Sequence, residues 1–150
     1  MEHYSGYIRK PFYYETDQMG IIHHSNYIRW FEEARTDLLE YLGFPYTKIE
    51  EIGLIIPVLE VSCTYKQMIH YGDTVRIDLF IEKYTGTRLD FRYEIHAPET
   101  NDLLTIGTSK HCFLTKESNR LVKLAKVNSE LDALFTEYTN FAKTYDSQTK

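Results

Sequence analysis

NYIRWFEEARTDLLEYL, spanning Asn26 to Leu42, is the clearest helical pattern in the sequence. Its apolar side chains recur every three or four positions, while charged side chains fill most of the others. The apolar stripe consists of Tyr27, Phe31, Ala34, Leu38, Tyr41 and Leu42, with Trp30 beside it. The spacing predicts a long amphipathic helix over 26–42, capped at its start by Ser25 or Asn26 and ended by Gly43 and Pro45.

Strand-like alternation lies on both sides of this helix. The segment Gly6 to Glu15 is predicted to be a strand, and Pro11 places it at or near a sheet edge because proline cannot donate to the ladder. Four strands are predicted after the helix. They are centred on Leu59–Tyr65, Val75–Ile81, Leu89–Ala97 and Leu103–Thr115. Short turns at 84–87 and 98–102 predict an antiparallel meander of the last three.

Two further helical segments complete the pattern. A short helical turn is predicted from Pro45 to Ile52, and an amphipathic helix from Ser129 to about Tyr145. A sheet with one apolar face needs a long apolar helix packed against it. The pattern therefore predicts an α+β fold in which residues 1–150 form a single domain.

The composition of the chain argues against several classes of function. A net charge of −5 argues against a nucleic-acid partner, which requires a broad basic face. Cys63 and Cys112 form no CxxC pair and are expected to be reduced thiols. The sequence starts with no apolar signal segment and contains no apolar run of about 20 residues, the length of a membrane helix. We therefore expect a cytoplasmic protein that does not enter a membrane.

The segment from Tyr13 to Tyr27 is the only one dense in chemically active groups, and it ends where the long helix begins. Helix N-termini present unpaired N–H groups and a positive dipole end, which would stabilise a carbonyl oxygen as it gains negative charge. A carboxylate upstream, such as Asp17, could attack that carbonyl or activate water beside it. Gly20 would let the backbone approach a substrate closely.

These residues alone leave other interpretations open. Asp17 could cap a loop, and the adjacent His23 and His24 could be structural. The same three side chains could also bind a metal, although neighbouring histidines rarely reach one ion. The chain has no G-x-S-x-G elbow, which disfavours an α/β-hydrolase, and no P-loop or dinucleotide fingerprint.

The Tyr13–Tyr27 segment, followed by IRWFEEAR, resembles the signature of the 4-hydroxybenzoyl-CoA thioesterase-like branch of the hotdog superfamily, which includes YbgC-like acyl-CoA thioesterases. Asp17, Gly20, Asn26 and Tyr27 match that signature in register, and the resemblance extends from about Tyr7 to Thr115. It implies a five-stranded antiparallel sheet wrapped around the long helix. It also implies hydrolysis of an acyl-CoA thioester without a metal or cofactor.

The resemblance assigns roles residue by residue. Asp17 would be the catalytic nucleophile or general base. The backbone N–H of His24 would polarise the thioester carbonyl, and Tyr13 would line the site. The residues implied in substrate binding are Gly20, Asn26, Tyr27, Thr85, Gly86, Thr87 and Arg88, the last four as a turn for the CoA nucleotide. Met19 and His23 depart from the usual pattern, which leaves the acyl group open.

Other functions on this fold remain open. An acyl carrier protein could present the acyl group in place of CoA, or the chain could be a non-catalytic acyl-CoA binding module. A hotdog dehydratase would need an acid on the apolar face of the central helix, which the pattern does not show. The resemblance further implies self-association as a homodimer or homotetramer, with the active sites between subunits.

Overall fold

The computed structural model describes the backbone of residues 2–149 and the side chains of residues 2–145. Seven strands and four α-helices are assigned within this part of the chain. The strands are β1 Tyr7–Arg9, β2 Leu54–Ile55, β3 Val58–Tyr65, β4 Val75–Tyr84, β5 Arg88–His96, β6 Leu103–Cys112 and β7 Leu114–Thr115. The helices are α1 Ser25–Tyr41, α2 Tyr46–Glu51, α3 Leu124–Val127 and α4 Ser129–Thr149.

The main sheet has five strands in the order β1-β4-β5-β6-β3, and every neighbouring pair is antiparallel. The predicted meander of β4, β5 and β6 is confirmed. So is the edge position of the first strand. The short strands β2 and β7 form a separate antiparallel pair.

Helix α1 packs its apolar face on the inner face of the sheet. Phe31 stacks on Tyr93 of β5, with ring centroids 4.2 Å apart. On the neighbouring strand, a Cβ at Gly107 would lie only 2.4 Å from the Phe31 ring, so the absence of a side chain there permits this close approach. The buried Tyr27, Phe31, Ala34 and Leu38 confirm these members of the predicted stripe. Tyr41 differs, because it is half exposed and donates to the carbonyl of Glu2.

Two local predictions near the N-terminus were wrong. The first strand was predicted to reach Glu15, but pairing ends at Arg9 and a 3-10 turn covers Tyr13–Glu15. Pro11 offers no N–H to a ladder, and the Glu15 carboxylate instead accepts the Phe12 N–H at 2.7 Å. The predicted side-chain cap is also absent, since α1 follows His24 without a side-chain capping bond.

The strand predicted over Leu59–Tyr65 is confirmed as β3, but its alternating pattern does not bury one face. Both of its faces are largely exposed, and it lies at the edge of the sheet opposite β1. Exposed apolar side chains of β3 are Val58, Leu59, Val61 and Tyr65. The strand predicted through Thr115 is divided, because β6 ends at Cys112 and β7 turns away to pair with β2.

The C-terminal helix begins at the predicted Ser129 and continues to Thr149. Its buried side chains Leu131, Phe135 and Tyr138 belong to the same core as α1. Within residues 2–149, every helix is too short or too polar to cross a membrane.

Candidate active site

The loop that carries Asp17 is a tight turn closed by backbone hydrogen bonds. Thr16 and Ile22 form an antiparallel bridge, and the Asp17 N–H donates to the carbonyl of Ile21 at 2.8 Å. The Gly20 N–H donates to the Asp17 carbonyl at 3.2 Å, and Gly20 has a φ of +77°, which favours glycine. The turn therefore fixes the position of the Asp17 backbone.

The two oxygens of the Asp17 carboxylate have different surroundings. Oδ1 accepts hydrogen bonds from the Met19 N–H at 2.8 Å and the Ile21 N–H at 3.4 Å. Oδ2 has no hydrogen-bond partner among the described residues, and the side chain is half buried. One oxygen thus closes the loop while the other is free to act on a ligand.

The start of α1 faces the same region. Within the described part of the chain, the backbone N–H of His24 makes no hydrogen bond, as expected for a donor just before a helix. The backbone carbonyl of His24 accepts a hydrogen bond from the Tyr65 hydroxyl at 3.1 Å. The imidazole rings of His23 and His24 stack with centroids 4.1 Å apart. No group of three or more metal-ligating side chains fit to hold an ion occurs among the residues described.

Asp17, His24 and Tyr27 come together in an open pocket of about 310 Å³. Its other lining residues are Met19, Ile21, Ile22, Tyr65, Lys66, Gln67 and Met68. Burial, followed by the nearby Cys63, raises the pKa of Tyr27 to about 12, so its hydroxyl stays protonated at neutral pH. The pocket therefore combines a carboxylate, an open N–H donor and apolar walls.

Sequence reasoning missed the four consecutive residues from Tyr65 to Met68. Tyr65 is the last residue of β3 and the other three follow it directly, and the sheet topology brings them to the start of α1. Nothing in their local pattern marks them, because the contact spans about forty residues of sequence. Lys66 adds a cation at the rim of the pocket.

A buried ion pair anchors the loop. Glu15 is 3% exposed, and its carboxylate accepts from Arg9 at 2.9 and 3.0 Å and from the Trp30 indole at 2.9 Å. Burial acts to raise the pKa of Glu15, but the Phe12 N–H, Trp30 and Arg9 outweigh it and hold the pKa below its usual value. Arg9 also bonds Glu33 of α1 at 2.8 Å. Asp17, two residues on, is therefore tied to the central helix.

Two residues that were predicted to belong to the active site, Asn26 and Tyr13, do not line the Asp17 pocket. Asn26 is buried, and its amide donates to the carbonyls of Glu15 at 2.9 Å and His23 at 3.3 Å, so it joins the two ends of the loop. Tyr13 is 75% exposed and packs edge-on against Tyr71, outside the pocket.

The turn from Thr85 to Arg88 lies far from Asp17 within the chain. Arg88 pairs with Cys112 on β6, whereas Tyr65, beside Asp17, pairs with Thr105 on the same strand. Seven residues of strand correspond to roughly 23 Å. Thr85 closes the turn through its Oγ1, which accepts the Arg88 N–H at 3.1 Å. Among the described residues no carboxylate pairs with Arg88, so its guanidinium is free.

A carboxylate in one pocket with an open N–H donor at a helix start is the arrangement expected of an enzyme that transfers or hydrolyses acyl groups. The chain belongs to the thioesterase-like superfamily, whose family model matches residues 13–135. It is thus a hotdog-fold thioesterase, which confirms the predicted fold, family and enzyme class.

Individual relatives agree with this assignment. The chain is 40% identical over 114 residues to the Bacillus subtilis protein named "Putative acyl-CoA thioesterase YneP", covering 76% of this chain and 82% of that one. It is 28% identical to a 1,4-dihydroxy-2-naphthoyl-CoA hydrolase of Prochlorococcus marinus, covering 70% and 81%. The solved DHNA-CoA thioesterase from Staphylococcus aureus superposes with a TM-score of 0.85 at 30% identity, covering 96% and 93%.

Proposed function

We propose that the chain hydrolyses an acyl-CoA thioester to the free acid and CoA, with Asp17 as the catalytic carboxylate. The thioester carbonyl oxygen is bound by the N–H of His24 at the start of α1. As general base, Asp17 removes a proton from an attacking water, the carbon–sulfur bond breaks, and that proton passes to the leaving sulfur, which releases the acid and the CoA thiol. As nucleophile, Asp17 attacks the carbonyl carbon and expels CoA as a thiolate; water then hydrolyses the acyl–Asp17 anhydride to the free acid and regenerates the carboxylate, and a proton from that water neutralises the thiolate. The observation that carries this proposal is the unpartnered Oδ2 of Asp17 in one pocket with the open His24 N–H.

A free-thiol assay over a panel of acyl-CoA thioesters tests this proposal. Hydrolysis of at least one acyl-CoA supports it, and the panel also gives the preferred acyl group. The same acyl groups on acyl carrier protein test the alternative carrier. Tight binding of acyl-CoA without turnover would favour the binding-module alternative.

The exposed edge of β3 supports self-association. Its outer edge offers unpaired backbone groups, and exposed apolar side chains flank them, an arrangement that proteins normally cover. We propose that two copies pair antiparallel along β3. Such pairing places the Tyr65 end of one strand beside the Val58 end of the other. It would bring the Arg88 turn of the partner subunit to the side where Asp17 lies.

Light scattering at micromolar concentration is expected to show a dimer or tetramer of the 17.8 kDa chain. Val61→Lys, on the edge strand, is expected to shift the mass towards the monomer, because a charge there opposes edge pairing. Ile8→Lys is the matched control, since it adds the same charge to the opposite edge strand β1. A wild-type protein with the mass of one chain would contradict the proposal.

Arg88→Ala is expected to raise the KM for acyl-CoA about tenfold with little change in kcat, because a charge-assisted bond to phosphate contributes about 1.5 kcal/mol or more. The measurement is steady-state hydrolysis by both proteins. An N-acetylcysteamine thioester of the same acid, which lacks the nucleotide, is the control and should be hydrolysed equally by both. An unchanged KM for acyl-CoA would show that the turn does not bind the nucleotide.

A further inference from the structure

The side-chain amide of Asn26, in the first turn of α1, bonds two separate segments of the backbone around Asp17. Asn26 is 7% exposed. Its Nδ2 donates to the Glu15 carbonyl at 2.9 Å and to the His23 carbonyl at 3.3 Å. The backbone N–H of Asn26 donates to the same His23 carbonyl at 3.0 Å. One residue therefore supplies two hydrogen bonds to the His23 carbonyl.

The His23 carbonyl and the His24 N–H belong to the same peptide unit. Because a trans peptide unit is planar, its C=O and N–H bonds point in opposite directions. The bonds from Asn26 that hold the carbonyl therefore also set the direction of the His24 N–H. Donation to the carbonyl polarises the peptide unit as well, which makes this N–H a stronger donor. The His24 N–H makes no hydrogen bond among the described residues, and His24 lines the Asp17 pocket.

The other bond of the amide reaches the backbone that leads to Asp17. The Glu15 carbonyl accepts from Asn26 Nδ2 and also from the His23 N–H at 2.8 Å. The side chain of Glu15 is fixed in its buried ion pair, and Asp17 follows two residues later. The same amide thus bonds both the segment that leads into Asp17 and the peptide unit that carries the His24 N–H.

We propose that Asn26 is a positioning residue, which sets the distance and angle between the Asp17 carboxylate and the carbonyl-binding N–H of His24. This role presupposes the proposed function, and it differs from the substrate contact that the family resemblance implied, because Asn26 does not line the pocket. It depends on the two N–H groups of the amide, since they lie between two carbonyl oxygens that would otherwise lose a shared donor. A displacement of about 1 Å at a reacting group can cost about 100-fold in rate.

Steady-state hydrolysis by Asn26→Ala and Asn26→Asp tests whether the amide acts as a donor. Asn26→Ala is expected to lower kcat by about tenfold to 100-fold with little change in KM, because the carbonyl donor is misdirected while the contacts to the rest of the substrate remain. Asn26→Asp should lower kcat further, since a carboxylate of the same size offers no N–H and repels both carbonyl oxygens. A space-filling role predicts the reverse order, because aspartate fills the volume that alanine leaves empty.

Asn128→Ala is the matched control. The Oδ1 of Asn128 accepts the Leu131 N–H at 2.9 Å, so this asparagine also fixes the start of a helix, but outside the Asp17 pocket. Its loss should lower the thermal unfolding midpoint and leave kcat unchanged. All variants are compared at a temperature below their unfolding midpoints, so that a loss of folded protein does not count as a loss of kcat.

A ketone analogue of acyl-CoA, in which a methylene group replaces the thioester sulfur, reports on the carbonyl without turnover. Its carbon-13-labelled carbonyl signal is expected to move downfield on binding to wild type, because the His24 N–H donates to it, and to move much less on binding to Asn26→Ala. An absent shift in wild type, an equal shift in Asn26→Ala, a wild-type kcat in Asn26→Ala or the reverse order of the two variants would overturn the proposal.

Two outcomes are kept apart by this design. If Asn26→Asp does not fold, kcat and the carbonyl shift of Asn26→Ala decide alone. A wild-type protein that hydrolyses no acyl-CoA would reject the proposed function, whereas the shift of the bound ketone would still show whether Asn26 directs the His24 N–H.

Discussion

Asp17→Asn is expected to lower thioester hydrolysis by about 100- to 10,000-fold, the range typical of a positioned general base, and further if Asp17 is the nucleophile. Asparagine retains an oxygen that can accept from Met19 and Ile21, so the loop keeps the bonds that Oδ1 makes. It replaces the free Oδ2 with an amide that has neither negative charge nor basicity. The measurement is kcat and kcat/KM on the best acyl-CoA of the panel.

Two controls separate a catalytic Asp17 from a structural one. The thermal unfolding midpoint and the affinity for acyl-CoA should stay close to wild type, because the His24 N–H still binds the carbonyl. Asp73→Asn is the matched variant, since the Asp73 carboxylate also accepts a loop N–H, that of His70, outside the pocket. It should retain full turnover. Near-native turnover of Asp17→Asn would contradict the catalytic role of Asp17 and place the catalytic group elsewhere.

The elements predicted well from sequence are those with a strong local period. Helix α1 and the β4–β5–β6 meander each bury one regular face, so apolar spacing alone marks them. Local periodicity failed where tertiary contacts decide. The alternating residues of β3 suggested one buried face, yet both faces are largely exposed, because among the described residues no strand pairs with the outer edge of β3.

The same distinction holds for the candidate site. Asp17, His24 and Tyr27 are close in sequence to the start of α1, and the structure places all three in one pocket. Tyr65 to Met68 lie in that pocket because the sheet places the end of β3 beside the start of α1. No local sequence pattern could identify a contact of this kind. Arg88 is predicted to contact the ligand, but within a single chain it lies at the other end of the sheet. Its role therefore depends on the proposed pairing of two copies.

We expect Glu15, which anchors the Asp17 loop, to be nearly as sensitive to substitution as Asp17 itself. Glu15→Ala is expected to destabilise the protein by about 3 kcal/mol, because removal of one partner leaves a buried charge poorly compensated. Arg9 would retain Glu33, but the Phe12 N–H and the Trp30 indole would lose their acceptor. Urea unfolding monitored by the fluorescence of Trp30, the single tryptophan, measures the loss.

Glu15 is a positioning residue, so Glu15→Ala should also lower kcat under conditions where the variant is fully folded. Glu15→Gln keeps an acceptor oxygen and should recover part of both stability and kcat. Glu33→Ala is the matched control, because Glu33 bonds the same arginine but its side chain is 35% exposed. It should cost about 1 kcal/mol or less and leave kcat unchanged. Equal stability of Glu15→Ala and Glu33→Ala, with full kcat in both, would show that the buried ion pair does not hold the loop in its active position.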